Sequence, residues 1–194
     1  MSLIIAYIGK KGCVMAADKR KIGYFGDKEK LDTLEEELYS GAIENDEKFL
    51  KRAEELGISI KITDDASKLK VVGNSIRGEV STKGTFETRR RRIYGTTNGY
   101  QILELLGSEQ VSRKAGEKGI IIFGNNFAKQ LAQNLIQKKW KASQSLKYMG
   151  EVFEEILAEV SAKTPTVGDR SDTLIQQPRY TTSLAQKHLN TTID

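Results

Sequence analysis

The apolar run Leu3-Ile4-Ile5-Ala6-Tyr7-Ile8 begins at the third residue, and that placement constrains the chain more than any other feature. It closes on Gly9-Lys10-Lys11-Gly12, after which Cys13-Val14-Met15-Ala16-Ala17 leads into Asp18-Lys19-Arg20. Two short apolar runs joined by a Gly- and Lys-containing turn predict a β-hairpin buried on at least one face. Nothing but Met1 and Ser2 precedes the first strand, so Ser2 stands at its tip.

The remaining composition narrows the chemistry. With one Cys among 194 residues a disulfide framework is excluded, and with one His a protein-built zinc site nearly so. We expect no metal and no cofactor. The apolar runs, Leu3–Ile8 and Ile120–Phe123 among them, are far too short to span a bilayer, and no cleavable apolar leader opens the chain. The expectation is a cytoplasmic protein without membrane insertion.

Beyond the first strands, Leu31, Leu34 and Leu38, then Phe49, Leu50, Ala53 and Leu56, recur at helical spacing among many Glu and Lys. They predict two amphipathic helices across about residues 27–56, the second ended by Gly57 in a left-handed cap. Strands are expected at Ile58–Ile62 and Leu69–Val72, and Ile76–Val80 should pair with Thr85–Tyr94 around Ser81-Thr82-Lys83-Gly84. Ile120-Ile121-Ile122-Phe123 reads as a buried strand. It runs into Asn125-Asn126 and a helix carrying Phe127, Leu131, Leu135 and Trp140. A second helix spans about Ser145 to Lys163, ended by Pro165 and Gly168, and a short strand follows near Thr173–Gln176. Strands, then two long helices, then a strand predict an α+β domain over residues 1–177, with residues 178–194 as a polar tail. Cys13 on an apolar strand is expected to be inert core, and His188 has no local partners.

Removal of Met1, which a small second residue permits, would make Ser2 the chain's first residue. A free N-terminal Ser carries a hydroxyl and an amine on adjacent carbons. The amine's unperturbed pKa of about 7.7–8.0 allows it to be neutral and to take the hydroxyl's proton. No His is required.

The stretch from Ser2 to Arg20 resembles the opening of proteasome β subunits. In those proteins a nucleophilic Thr starts a strand, and the second strand ends in an Ala-rich Asp-Lys/Arg-Arg sequence. The segments Glu37-Leu38-Tyr39-Ser40-Gly41, Gly78-Glu79-Val80-Ser81, Arg90-Arg91-Arg92-Ile93-Tyr94 and Ile122-Phe123-Gly124-Asn125-Asn126-Phe127 narrow the likeness. With the opening motif they resemble the archaeal connectases, proteasome-β-like proteins of methanogens. The resemblance implies a four-layer αββα Ntn-hydrolase sandwich with an acidic helical insertion. It implies a sequence-specific protein ligase, or transpeptidase, that cleaves a Lys-Asp-Pro-Gly-Ala-type motif after Asp and joins the acyl part to a Pro-starting peptide. It also implies a protein substrate, by family a subunit of a methyltransferase complex.

The resemblance makes Ser2 the nucleophile, Asp18 the residue that orients its amine and holds a nearby cation, and Gly124 the donor to the oxyanion. The proteasome's active-site Lys has no clear counterpart. Lys83 and the Arg89–Arg92 run are the nearest basic residues, and Arg20, Arg91 and Lys83 are the candidate substrate contacts. On a strand, at most two of the four arginines can face one groove. A solvated face, an acidic peptide, the acidic insertion and a phosphate backbone are all open to them. No nucleic-acid module or aromatic platform surrounds the run, so no nucleic-acid partner is expected. An endopeptidase of the same fold and a catalytically inactive peptide-binding protein are the alternatives. The sequence leaves the oligomeric state open, a monomer included.

Overall fold

The hairpin predicted at the N-terminus forms the centre of the molecule. In the computed structural model, which describes residues 2–83, 87–141 and 144–178 apart from the Lys83 side chain, β1 (Ile4–Gly9) and β2 (Gly12–Asp18) pair antiparallel, with Ile4 opposite Ala17 and Gly9 opposite Gly12. Next come β3 (Lys21–Phe25), α1 (Lys28–Ser40), α2 (Asp46–Glu55), β4 (Ser59–Thr63) and β5 (Leu69–Val72). The chain continues through β6 (Ser75–Lys83), β7 (Thr88–Thr96), β8 (Gly99–Leu106), β9 (Glu109–Gly116) and β10 (Gly119–Phe123). It ends with α3 (Asn126–Lys139), α4 (Leu146–Ser161) and β11 (Ser171–Gln176). Of the polar tail anticipated from residue 178, residues 179–194 lie outside the description, as do His188 and Met1.

The described strands form three antiparallel sheets. One has the order β10-β1-β2-β11, a second is the β3-β4 pair, and the third is the meander β5-β6-β7-β8-β9. Because side chains alternate along a strand, the β1–β2 hairpin feeds two cores. Leu3, Ile5, Val14 and Ala16 face α3 and α4, meeting Ala132, Phe153, Ile156 and Val160. Ile4, Ala6, Ile8, Cys13, Met15 and Ala17 face the meander, meeting Leu69, Ile76 and Ile93. Both sides of β2 are therefore buried along its whole length. Helices, sheet and sheet stack in that order.

The two sheets approach closely because the meander presents glycine where the hairpin is bulkiest. A Cβ at Gly95 would lie 2.6 Å from both Cys13 Sγ and Met15 Cε. A side chain there would push the layers apart in a core packed at crystal-like density.

The acidic insertion builds a core of its own. Leu34, Leu38, Phe49 and Ala53 from α1 and α2 pack with Ile22 of β3 and Ile58 beside β4. All four helices among the described residues start on a capping side chain: Asp27, Asn45, Asn125 and Ser145 accept amides of their first turns. Gly41, at φ +85°, closes α1, and Gly57, at φ +68°, follows α2 in the left-handed conformation expected of it. A Cβ at Gly41 would meet the Phe127 ring at 2.5 Å, so α1 docks on α3 through this glycine. That contact draws Phe127 outward. The fully buried stripe of α3 is Ala128, Ala132 and Ile136, whereas Phe127, Leu131, Leu135 and Trp140 are only half-buried.

Candidate active site at the start of the first strand

Asp18, the last residue of β2, is completely buried. Its Oδ1 accepts the Leu3 amide at 2.7 Å, and the Asp18 amide returns a bond to the Leu3 carbonyl at 3.2 Å. The acid is thereby locked to the residue after Ser2. Its Oδ2 accepts the amides of Arg20 at 2.9 Å and Gly168 at 3.2 Å. At 2.8 Å from the same oxygen lies the ammonium of Lys68.

Lys68 was not singled out by the sequence. It sits just before β5, and its carbonyl accepts the Glu79 amide at 3.0 Å, which fixes it to β6. Its side chain is only 8% exposed. Burial pulls its pKa below the ordinary lysine value, and the Asp18 carboxylate opposes that shift without cancelling it. Although Nζ is at ion-pair distance from Asp18, it has no aligned hydrogen-bond acceptor among the described residues. Lys68 is thus a buried amine held against the carboxylate that also binds the Leu3 amide.

Gly124 ends β10 on the other side of β1. Phe123 lies opposite Ile4 in the register, so the turn at Gly124 flanks Leu3 and Ser2. A Cβ on Gly124 would stand 3.1 Å from Leu3 Cδ1 and 3.3 Å from the Ser2 carbonyl oxygen. Ser2, half-buried, therefore has Gly124 on one flank and the Asp18–Lys68 pair on the other. The structure brings Ser2, Asp18 and Gly124 together.

Arg20, an expected substrate contact, is buried and held by groups of the chain itself. Its side chain is 8% exposed, and each of its three guanidinium nitrogens is bonded. It bonds Asp64 through Nε at 2.8 Å and Nη2 at 3.0 Å, and through Nη1 it bonds Asp46 at 2.6 Å and the Pro165 carbonyl at 3.0 Å. These bonds hold Asp64 below the usual carboxylate range and raise the pKa of Arg20 further. The residue ties the start of α2, the segment leading to Lys68 and the loop after α4 into one block.

The arginine run divides as alternation requires. Arg89 and Arg91 share the face of Ile93 and Gly95, beyond the area covered by the first sheet. Arg91 pairs with Glu104 across the strand at 3.2 Å and lies 4.5 Å over the Phe123 ring, beside Gly124. Arg92 pairs with Glu79. These partners lie in the meander, not in the acidic insertion. A cavity of about 660 Å³ runs along this region, lined by Val80, Thr82, Arg89, Arg90, Arg91, Glu104, Leu105, Leu106 and Val111. Arg91, which lies over the Phe123 ring, forms part of its wall. Lys83, whose side chain lies outside the described residues, follows Thr82 at the end of β6.

Among the described residues no three His, Cys, Asp or Glu side chains converge to hold a metal ion, and no helix is long and apolar enough to cross a membrane.

No curated protein sequence matches the chain. Among solved structures, Anbu from Hyphomicrobium sp. strain MC1 superposes with a TM-score of 0.52 at 9% identity, covering 90% of this chain and 82% of that one. Its Gly-1 mutant gives 0.51 at 8% identity, with 91% and 82% covered. Identities this low speak for the fold alone, which is proteasome-β-like. The family model described as "Connectase MJ0548-like, N-terminal domain" matches residues 1–194. The chain belongs to the connectase family.

Proposed function

We propose that this protein is an N-terminal-nucleophile enzyme that transfers the acyl part of a polypeptide from one amine to another. The observation that carries the proposal is the buried Asp18–Lys68 pair, joined through the Leu3 amide to the residue that follows Ser2. Removal of Met1 frees the Ser2 amine. Ser2 Oγ then attacks the scissile carbonyl and gives up its proton to a neutral amine, its own or that of Lys68. The amide of Gly124 or a neighbour in that turn donates to the developing oxyanion. Collapse breaks the C–N bond, the leaving amine takes the proton, and an ester to Ser2 remains. A second amine attacks the ester to form a new amide and release Ser2; water in its place would give hydrolysis. No step requires a metal or cofactor.

The groove beside Arg91 suits the substrate. Among the residues that line it, Arg89, Arg90 and Arg91 outnumber the one carboxylate, Glu104. Charge complementarity favours an acidic side chain near the scissile bond. Cleavage after Asp in a Lys-Asp-Pro-Gly-Ala-type sequence, with a methyltransferase-complex subunit as protein partner, belongs to this proposal. So does the complete four-layer αββα sandwich, because no described helix packs its main face on the outer side of the meander.

Intact-mass measurement with a Lys-Asp-Pro-Gly-Ala peptide, with and without a competing Pro-Gly-Ala peptide, tests the reading. A covalent adduct and an exchanged product, both abolished by Ser2→Ala, support ligation. Cleavage without exchange makes the protein an endopeptidase. A mature N-terminus at Ser2 with neither adduct nor cleavage rejects the assignment for this sequence, as does full activity with Met1 retained.

A further inference from the structure

The loop after α4 bonds three residues in and around the site, and it does so with three different groups. The Gly168 amide donates to Asp18 Oδ2 at 3.2 Å. The Pro165 carbonyl accepts from Arg20 Nη1 at 3.0 Å. The Thr166 hydroxyl accepts from Asn125 Nδ2 at 2.9 Å and shares a second bond of 2.9 Å with the Thr164 hydroxyl. Thr164, Thr166 and Asn125 are all buried. Polar groups removed from water are retained at a cost unless each finds a partner, and here the partners are one another.

Asn125 is the member with two duties. Its Oδ1 caps α3 by accepting the Ala128 amide at 2.8 Å, which any of the usual capping side chains could do. Only the amide's other end, Nδ2, reaches Thr166. The residue immediately before it is Gly124. With both ends held, the orientation of the Gly124–Asn125 peptide is fixed relative to the loop that also holds Asp18.

We infer that Thr166 is a positioning residue for the Gly124 turn, and that loop Thr164–Gly168 is a brace setting the distance between the oxyanion donor and the acid beside the nucleophile. The inference rests on the function proposed above only for its kinetic consequence; the brace itself is a statement about the turn. Oxyanion donors act by being aimed in advance, so loosening the turn lowers the rate of acylation without weakening the binding of the peptide. Disturbance of Asp18 and Lys68 would instead change the pH at which acylation switches on.

The test compares wild type, Thr166→Val and Thr166→Ser. Valine keeps the shape and removes the hydroxyl, whereas serine keeps the hydroxyl. Single-turnover acylation with the Lys-Asp-Pro-Gly-Ala peptide should fall about tenfold or more in Thr166→Val, from the loss of an aimed donor. The half-saturating peptide concentration and the pH midpoint should not move, and Thr166→Ser should restore most of the rate. Hydrogen exchange of the segment Gly124–Ala128 is measured on the same three proteins and needs no activity. It should quicken in Thr166→Val and return in Thr166→Ser. If wild type forms no adduct, the proposed function fails and the exchange result alone decides on the brace. Unchanged exchange overturns the inference. So does a rate loss accompanied by a shifted pH midpoint, or one that serine does not rescue.

Discussion

Replacing Asp18 by Asn removes one charge from a place that water does not reach. The carboxylate is completely buried and accepts three backbone amides, those of Leu3, Arg20 and Gly168, besides facing Lys68 at 2.8 Å. An amide has only one accepting end. Its best orientation leaves the oxygen toward Arg20, Gly168 and Lys68 and turns the NH2 against the Leu3 amide, donor to donor. Leaving one member of a buried ion pair without its partner costs about 3–5 kcal/mol, and the lost Leu3 bond lies within that range. Urea unfolding near neutral pH should show this loss in Asp18→Asn. The penalty should also depend on pH in a known direction. Lys68 already has a folded pKa below its unfolded value of about 10.4, and removing Asp18 lowers it further. The unfolded variant therefore binds more protons than the folded one between those two values, and its stability rises with pH through that window. The gap to wild type should narrow as the pH is raised toward 10, because a neutral Lys68 no longer needs a counter-charge. Removing both charges in Asp18→Asn/Lys68→Met should recover about 1 kcal/mol or more relative to Asp18→Asn alone. A loss below about 1 kcal/mol, a gap independent of pH, or a double variant no better than the single one would refute the buried-pair account.

Two further outcomes follow from the packing between the sheets. Gly95→Ala should lower stability by about 1–3 kcal/mol, since its Cβ would collide with Cys13 Sγ and Met15 Cε, and Cys13→Ala should relieve part of that loss in the same thermal melts. The Cys13 thiol, completely buried and pushed up by desolvation to about 12, should resist a thiol reagent at pH 8 in the folded protein and react at once in denaturant.

The sequence was most legible where burial imposes a period. β1 and β2, the helices α1 and α2, the strand β10 and the cap at Gly57 all follow from apolar spacing and chain-reversing residues, although β10 is only half-buried apart from Phe123. β9 lacked such a signal, because it is an edge strand whose residues are mostly exposed and need no apolar alternation. Lys68 was invisible for a different reason. Its neighbours Ser67 and Leu69 resemble many other surface-like stretches, and nothing local tells a buried lysine from a solvated one when Lys and Arg number 31. Only the pairing of β5 with β6, which follows the helical insertion, carries it to Asp18. Arg20 was legible as a neighbour of the site. Its engagement with Asp46 and Asp64 depends on how the insertion folds back, which spacing does not encode.

The position of β1 within its sheet also sets an order of events during synthesis. β1 is an interior strand: its β2 partner is translated immediately, but its other partner, β10, lies more than a hundred residues later. The last group to reach Asp18, the Gly168 amide, is made later still. Contacts this distant in sequence close late. On a ribosome the nascent N-terminus would thus be exposed to the enzymes that trim it well before the surrounding chemistry is assembled. The chain end would be processed as an open strand, and only afterwards enclosed.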